Sequence, residues 1–551
     1  MLLLLFSLFK NISYPLLWND EAETAMYATR IMEYGYPKVH DGKNVVYLFG
    51  HNNIAIDKGT DAYIGSVWGQ YYFATIGAFL AKSITNIYMK TAVMRIPFAI
   101  MGFLGLAIMV LSVTKIFDDE PKKKLPFISC FLLLELSSVP LALHLREVRH
   151  YPLTLFFSGC VLYFYIRSRF VKDIAYIKHL LCIAISLLLL YITFPPIYIT
   201  FIVVILSYES FGLLLKQGGI KKFLHNVLPM TITMIVMVPL ILFFKTFHLL
   251  KIAATTSGNT WLDHLINFLW VLEFLQKYEF LYVAVVSKII SNLLWFYLKA
   301  MKSPSIEYSS PHVFWIKNEL KLSNFLGLFF IVTVFVVSKN PWQRYYISLQ
   351  PILILILLID IFALFEIVGD IQKSKKNHIL HTLSVILISA LFLLNTSPEK
   401  IVAIRLHIYE LFHQYKGPLD IAIPYITSRF NNTEDLIIAT NYEECSYMYY
   451  LKSKVIMGFI PNNLEEDLKA SPDIIIPRKK WHTLEMFQTF LQKNKYHRIN
   501  LPIRDTRCNN IPELPCSYDY NEPGLLIHLF KTPIPSDAND CLEVYIKEYP
   551  L

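Results

Sequence analysis

Up to about residue 395 the chain alternates long apolar runs with short polar turns; beyond it the pattern changes to short strands and helices. Runs of this length predict membrane-spanning helices at roughly 91–116, 126–144, 151–166, 179–195, 197–215, 223–245, 281–298, 322–338, 345–367 and 378–395. MLLLLFSLF at the N-terminus is read as a retained first span, since no small-residue cleavage site follows it, giving about eleven spans. One apolar stretch is set aside. Residues 68–84, WGQYYFATIGAFLAKSI, are taken as a helix lying in the membrane interface, because a further span there would invert every later loop.

With that assignment the basic turns share one side. They hold Lys122 to Lys124, Arg167 to Lys178, Lys216 to Lys222, Lys299 to Lys321 and Lys373 to Lys376, and the positive-inside rule makes that side cytoplasmic. The outer side receives the first loop (13–90), LREVRHY (145–151), TFPP (193–196), a loop from about 246 to 280, KNPWQRYY (339–346) and everything from about 396. In that tail DLIIAT, KVIMGF, DIIIPR and GLLIHLF read as buried strands, with YEECSYMYYL and WHTLEMFQTFLQKN as helices between them. The expected architecture is a polytopic α-helical membrane protein. A transmembrane catalytic domain (1–395, with juxtamembrane helices in its outer loop) precedes an extracytoplasmic soluble α/β domain (396–551) with a largely parallel sheet. No Gly-rich phosphate loop follows the first strand, and no fixed-period repeat occurs.

Composition supports this organisation and removes one rival class. Of 551 residues, 55% are hydrophobic and 17% charged, and mean hydropathy is +0.44. The net charge of +9 sits in turns between apolar runs, so it marks topology and not a nucleic-acid partner. Cys130, Cys160 and Cys182 fall in apolar runs as small fillers, while Cys445, Cys508, Cys516 and Cys541 lie in the tail, where three disulfide connectivities are open. Asn395-Thr-Ser and Asn431-Asn-Thr match glycosylation acceptors, which matter only in a eukaryotic or archaeal host.

The candidate chemistry gathers at the outer ends of the spans. WNDEAETAMYATRIMEYGYPKVHDG (18–42) places Asp20 and Glu21 close behind the first apolar run, where carboxylates are costly unless paired or wet. Around them stand Glu23, Lys58, Arg95, Arg146, Glu147, Arg149, His150, Arg344 and Tyr345. A carboxylate beside several cations suits an anionic substrate handled by a base: guanidinium groups clamp a phosphate leaving group, and the carboxylate takes a proton from an attacking hydroxyl. Asp20 and Glu21 are therefore the catalytic candidates, and Lys58, Arg95, Arg149 and Arg344 the phosphate-binding ones. His40, Asp41, Asp57, Asp61, His150 and Tyr345 are the substrate-binding candidates.

Plainer roles stand beside these. Asn19 or Asp20 followed by Glu23 reads equally as a helix cap, and the arginines as headgroup anchors. Lys58 reads as an ordinary loop lysine. Asp41, Asp57 and Asp61 read as a divalent-cation site or as turn formers, and His40, His51 and His150 lack tight ligand spacing. No resident cofactor is indicated beyond that cation.

DEAETAMYATRIMEYGYP (20–37), DKGTDAYIGSVWGQYY (57–72), LREVRHYPLTLFF (145–157) and QRYYISLQP (343–351) resemble the polyprenol-phosphate-sugar-dependent glycosyltransferases of the GT-C fold. That superfamily includes protein O-mannosyltransferases and lipid A aminoarabinose transferases, and the resemblance extends from about 18 to 395. It implies an integral, multi-pass plasma- or inner-membrane enzyme of the GT-C type. Such an enzyme is an inverting hexosyl- or pentosyltransferase that takes a sugar from an undecaprenyl or dolichyl phosphate donor. Its acceptor is a hydroxyl on a lipid, glycan or protein at the outer face. Within it Asp20 corresponds to the base, with Glu21 beside it, and Lys58 to a ligand of the lipid phosphate. The arginine often found after the acidic pair is absent, with Ala22 and Glu23 there; no His-Pro-Pro is present, and Gly59-Thr60 replaces a Pro-Pro. Those departures leave the acceptor class open. Rival readings are a secondary transporter, against which the sequence sets no pseudo-symmetric halves; a non-catalytic scaffold subunit of the same fold; and a block transferase using lipid-pyrophosphate oligosaccharides.

Overall fold

Helix ends in this chain fall where backbone donors lose their partners or a proline or glycine interrupts the ladder. The computed structural model describes residues 2–46, 55–117, 121–171, 176–215, 219–247, 261–300, 311–337, 343–375, 396–414, 416–459, 464–479, 484–505 and 540–548. The span expected at 378–395, the strand GLLIHLF, His51, Cys508, Cys516 and the Asn395 acceptor lie outside the described residues.

The first helix, α1 (Leu2–Phe9), has eight residues and rises about 12 Å, too little to complete the expected first span. α2 (Asn19–Tyr34) and α3 (Gly69–Ala81) order the outer loop, with an antiparallel hairpin of β1 (Ile56–Asp57) and β2 (Ala62–Tyr63) between them. At 13 residues α3 is also too short to cross. Its exposed apolar side chains, Tyr72, Ile76, Phe79 and Leu80, recur at helical spacing on one face, as a helix lying in an interface requires.

α4 (Ile87–Thr114) starts at Asn86, whose side-chain oxygen accepts the N–H groups of Tyr88 and Met89. The run expected as one span at 126–144 is two pieces, α5 (Pro121–Leu136) and α6 (Val139–His144), parted at Ser137-Ser138 ahead of Pro140. α7 (His150–Ile166) then packs on α4 through small residues. A Cβ on Gly102 would stand 2.7 Å from the carbonyl oxygen of Leu145, and one on Gly105 2.9 Å from the nitrogen of Phe156. Only glycine permits that approach.

There follow α8 (Tyr176–Thr193), α9 (Pro195–Leu214), α10 (Ile220–Phe243), α11 (Trp261–Tyr278), α12 (Leu281–Ala300), α13 (Pro311–Val337) and α14 (Leu349–Lys375). α11 occupies much of what was expected as an outer loop, and it meets α12 at a bend of 95°. Among the described residues five helices are long and apolar enough to cross a membrane, or six if the bent pair is one span. They are Ile87–Phe117, Pro195–Leu214, Ile220–Phe243, Asn318–Val337 and Leu349–Ile367. The chain is thus a multi-helix membrane protein. The remaining expected spans among those residues are shorter, broken or bent helices.

The C-terminal region carries α15 (Pro398–Phe412), α16 (Pro418–Arg429) and β3 (Ile437–Thr440). α17 (Glu444–Leu451), β4 (Lys454–Met457), β5 (Ile474–Ile476), β6 (Tyr496–Arg504) and β7 (Cys541–Lys547) follow. The sheet order is β4-β3-β5-β7-β6. β3 pairs in parallel with β4 and β5, but β7 runs antiparallel to both β5 and β6, so the sheet is mixed and not largely parallel. β6 was not foreseen because its burial alternates without a continuous apolar run.

This region shares a core with the outer loop. Leu16, Ala25, Tyr27, Tyr71 and Phe98 belong to one buried cluster with Ile423, Tyr447, Ile474 and Val544. Polar clips reinforce the contact: Asn44 donates to the carbonyl of Ser453 (2.9 Å) and accepts the N–H of Val455 (2.8 Å). The side chain thereby occupies the free edge of β4.

Candidate active site

α2 is helical because alanines at 22, 25 and 28 favour it and Asp20 and Glu21 lie in its first turn, where the helix dipole favours anions. It ends at Gly35, whose φ of +85° is left-handed and whose N–H returns to the carbonyl of Ile31. The residue preceding the helix is Trp18, and no side chain caps it, so the capping role open to Asn19 or Asp20 is not used. Instead Asn19 accepts the N–H of Cys445 (3.3 Å). Asn19 through Ala25 are all buried, so each polar side chain among them needs a partner from another element.

Adjacent acids receive opposite environments. Glu21 is wholly buried and gripped by Arg95 through two bonds, Nε to Oε1 at 2.8 Å and Nη2 to Oε2 at 2.5 Å. Val148 N–H also donates to Glu21, and Arg95 donates further to the carbonyls of Ile12 (3.0 Å) and Pro15 (2.7 Å). Burial pushes the Glu21 carboxyl upward and Arg95 opposes it. The two side chains lock α2, α4 and the preceding loop together. The structure thus pairs Arg95, expected at the phosphate, with Glu21, expected to share in catalysis.

Asp20 is held more loosely. Its Oδ2 stands 3.4 Å from Arg149 Nη2 and 3.6 Å from Arg344 Nη1, and the three side chains remain 11%, 12% and 14% exposed. Arg149 Nη1 donates to the carbonyl oxygen of Asp20 (3.2 Å) and lies 3.7 Å from Glu23 Oε2. Glu23, nearly closed off, accepts the hydroxyl of Tyr71 at 3.1 Å. Burial raises the Glu23 carboxyl to about 7, with Arg149 pulling it down and Asp20 adding to the rise. Burial works against the Arg149 charge, but Asp20 and Glu23 outweigh it and keep the guanidinium protonated. Arg149 Nε is buried with no hydrogen-bond partner among the described residues.

Aromatic rings wall the cluster. Arg344 lies over the rings of Trp18 (5.5 Å) and Tyr345 (5.8 Å). The imidazole of His150 stacks on Phe194 at 4.5 Å, and Phe194 lies nearly parallel to Tyr345 at 5.8 Å. Trp18 Nε1 donates to Glu147 (3.0 Å), whose other oxygen contacts His144 Nδ1 (2.9 Å). The structure thus brings Asp20, Arg149, Arg344, His150 and Tyr345 together from three separated segments.

The remaining candidates do other work. Asp41 bonds Arg30 (2.6 Å) and the N–H groups of Lys43 and Asn44; although burial pushes its carboxyl up, these partners hold it below the usual range. Asp57 closes the hairpin turn by accepting the N–H and hydroxyl of Thr60. Asp61 accepts the backbone N–H of His40 and contacts its ring at 2.6 Å. In the structure His40, Asp41, Asp57 and Asp61, expected to bind substrate, form turn and loop clasps. Lys58 is exposed near the hairpin tip, without an ion pair or hydrogen bond among the described residues. Among those residues no group of three or more His, Cys, Asp or Glu is arranged to hold a metal ion.

Sequence reasoning did not single out Trp18, Tyr71 or Phe194 for the site. Trp18 stands two residues before Asp20, but aromatic residues make up 15% of this chain, so position alone does not mark it.

No family model matches the chain, and no curated protein matches it. Among solved structures it is similar to the crystal structure of ArnT from Cupriavidus metallidurans in the apo state. The identity is 12%, the match covers 92% of this chain and 95% of that one, and the TM-score is 0.46.

Proposed function

We propose that this protein is an inverting glycosyltransferase of the GT-C type that moves a sugar from a polyprenyl phosphate to a hydroxyl acceptor. The observation that carries the reading is the carboxylate of Asp20, shared between two guanidinium groups at 3.4 and 3.6 Å while remaining open at its edge. Arg149 and Arg344 hold the donor phosphate, whose negative charge grows as the sugar leaves. Asp20 accepts the proton of the acceptor hydroxyl. That oxygen attacks the anomeric carbon, and the bond from this carbon to the phosphate oxygen breaks with its electron pair retained by the polyprenyl phosphate. The aromatic wall of Trp18, Phe194, His150 and Tyr345 offers stacking surface for a ring and keeps water away. The transmembrane part (1–395) provides this chemistry and the C-terminal part (396–551) covers it.

The test is Asp20→Asn in purified protein supplied with polyprenyl phosphate sugars. Transfer is expected to disappear with the melting temperature unchanged; full activity in that variant ends the assignment.

A transporter is favoured by one observation. The 95° break between α11 and α12 places Glu279 near Glu135 and Lys400, and neither Glu135 carboxylate oxygen has a hydrogen-bond partner among the described residues. Flux of ions or sugars into proteoliposomes, retained in Asp20→Asn and lost in Glu135→Gln, would select that reading.

A further inference from the structure

We propose that Glu444, the first residue of α17, reads the hydroxyl groups of the transferred sugar; this rests on the transferase reading above. α17 is seated against the start of α2 by three bonds: Cys445 N–H to Asn19, Ser446 hydroxyl to the carbonyl of Leu17 (2.9 Å), and Leu17 N–H to the hydroxyl of Tyr450 (3.0 Å). That seating brings the Glu444 carboxylate near enough to Asp20 and Glu23 for their charges to act on one another. The N–H of Phe459 holds the Glu444 carboxylate. A Cβ on Gly458 would lie 3.2 Å from that group, so the left-handed glycine (φ +79°) fixes how closely the chain wraps it. Oε2 is left buried with no hydrogen-bond partner among the described residues, although the residue as a whole is only half-buried.

An acceptor placed this way is incomplete without a donor. A phosphate does not supply one. Arg149 and Arg344 already face Asp20, with Glu23 beside Arg149, and the charges that act on Glu444 are those of the acids Glu443 and Asp20, so an anion gains nothing by approaching Glu444. Phosphate belongs on the arginine side. A neutral, hydroxyl-bearing ring attached to that phosphate presents O–H donors at a distance from it, which is the chemistry Glu444 lacks. The C-terminal region then selects the sugar, while the membrane helices bind the feature common to every donor.

The probes are farnesyl phosphate and a panel of farnesyl phosphate hexoses and pentoses, titrated into the full-length protein in detergent and followed by tryptophan fluorescence. Wild type should bind one sugar-bearing probe more tightly than farnesyl phosphate. In Glu444→Gln that preference should fall about ten- to a hundredfold, the range for losing a charge-assisted hydrogen bond. Farnesyl phosphate itself should bind as well as before or better, and Glu444→Asp should recover part of the preference. An unchanged ratio between the two kinds of probe in Glu444→Gln overturns the assignment, as does equal weakening of both, which marks a structural role. If wild type binds no probe at all, the lipid-phosphate reading fails first and takes this one with it.

Discussion

Glu21 and Arg95 form a two-pronged ion pair with almost no solvent exposure, joining a helix of the outer loop to a helix long enough to span a membrane. Both charges have left water, so each depends on the other. Arg95→Met should cost about 3–5 kcal/mol of stability, the usual penalty for leaving one member of a buried pair alone. The double variant Glu21→Gln, Arg95→Met should recover much of that loss. Unfolding midpoints in detergent measure both, and a fully stable Arg95→Met with impaired donor binding would return Arg95 to the phosphate site.

The Glu23 carboxyl, raised by burial from an ordinary 4.5 to about 7, makes stability depend on pH. Between those values the folded chain keeps a proton that the unfolded chain has lost. Folding therefore takes up a proton there, and stability falls as pH rises through the window. The full contribution is about 3 kcal/mol. Glu23→Gln should flatten the decline in melting temperature between pH 5 and 8, and an equal decline in both proteins would show that Glu23 does not carry it.

Gly35 tests the end of α2. Nothing lies within 4 Å of where its Cβ would be, so an added side chain meets only backbone strain at φ +85°. Gly35→Ala should lower stability by about 1 kcal/mol, and Gly35→Asn by less, because asparagine tolerates the left-handed region. Thermal unfolding of the two variants measures the difference.

Asn44 serves the sheet as a substitute for a neighbouring strand. Removing it in Asn44→Ala leaves the N–H of Val455 and the carbonyl of Ser453 buried without partners, at about 1–3 kcal/mol. Hydrogen exchange at Val455 should quicken while β3 and β5 stay protected.

Among the described residues, most of the helices were legible as apolar runs, because a helix buried in lipid or among other helices must satisfy its own backbone and leaves a long hydropathic signature. The C-terminal strands β3, β4 and β5 were legible for a related reason: each is a short run buried on both faces. β6 and the antiparallel half of the sheet were not, since an edge strand half in solvent has no such run. α11 hid inside a stretch read as loop because its charged and polar residues interrupt the hydropathy that marks a span.

The stretch from Trp18 to Gly42 announced itself through its acids, and Asp20 and Glu21 stood out together. Sequence by itself determined that carboxylates and arginines gather on one side of a greasy bundle, and that a region of strands and helices follows. It could not divide Asp20 from Glu21. Consecutive residues on a helix point about 100° apart, so neighbours in the chain face different neighbours in space. Only the packing of α4, of the turn before α7 and of the turn before α14 decided that Glu21 meets Arg95 while Asp20 meets Arg149 and Arg344. The same holds for Glu444, which lies more than four hundred residues from Asp20 and is brought to its neighbourhood because α17 is seated on Leu17 and Asn19.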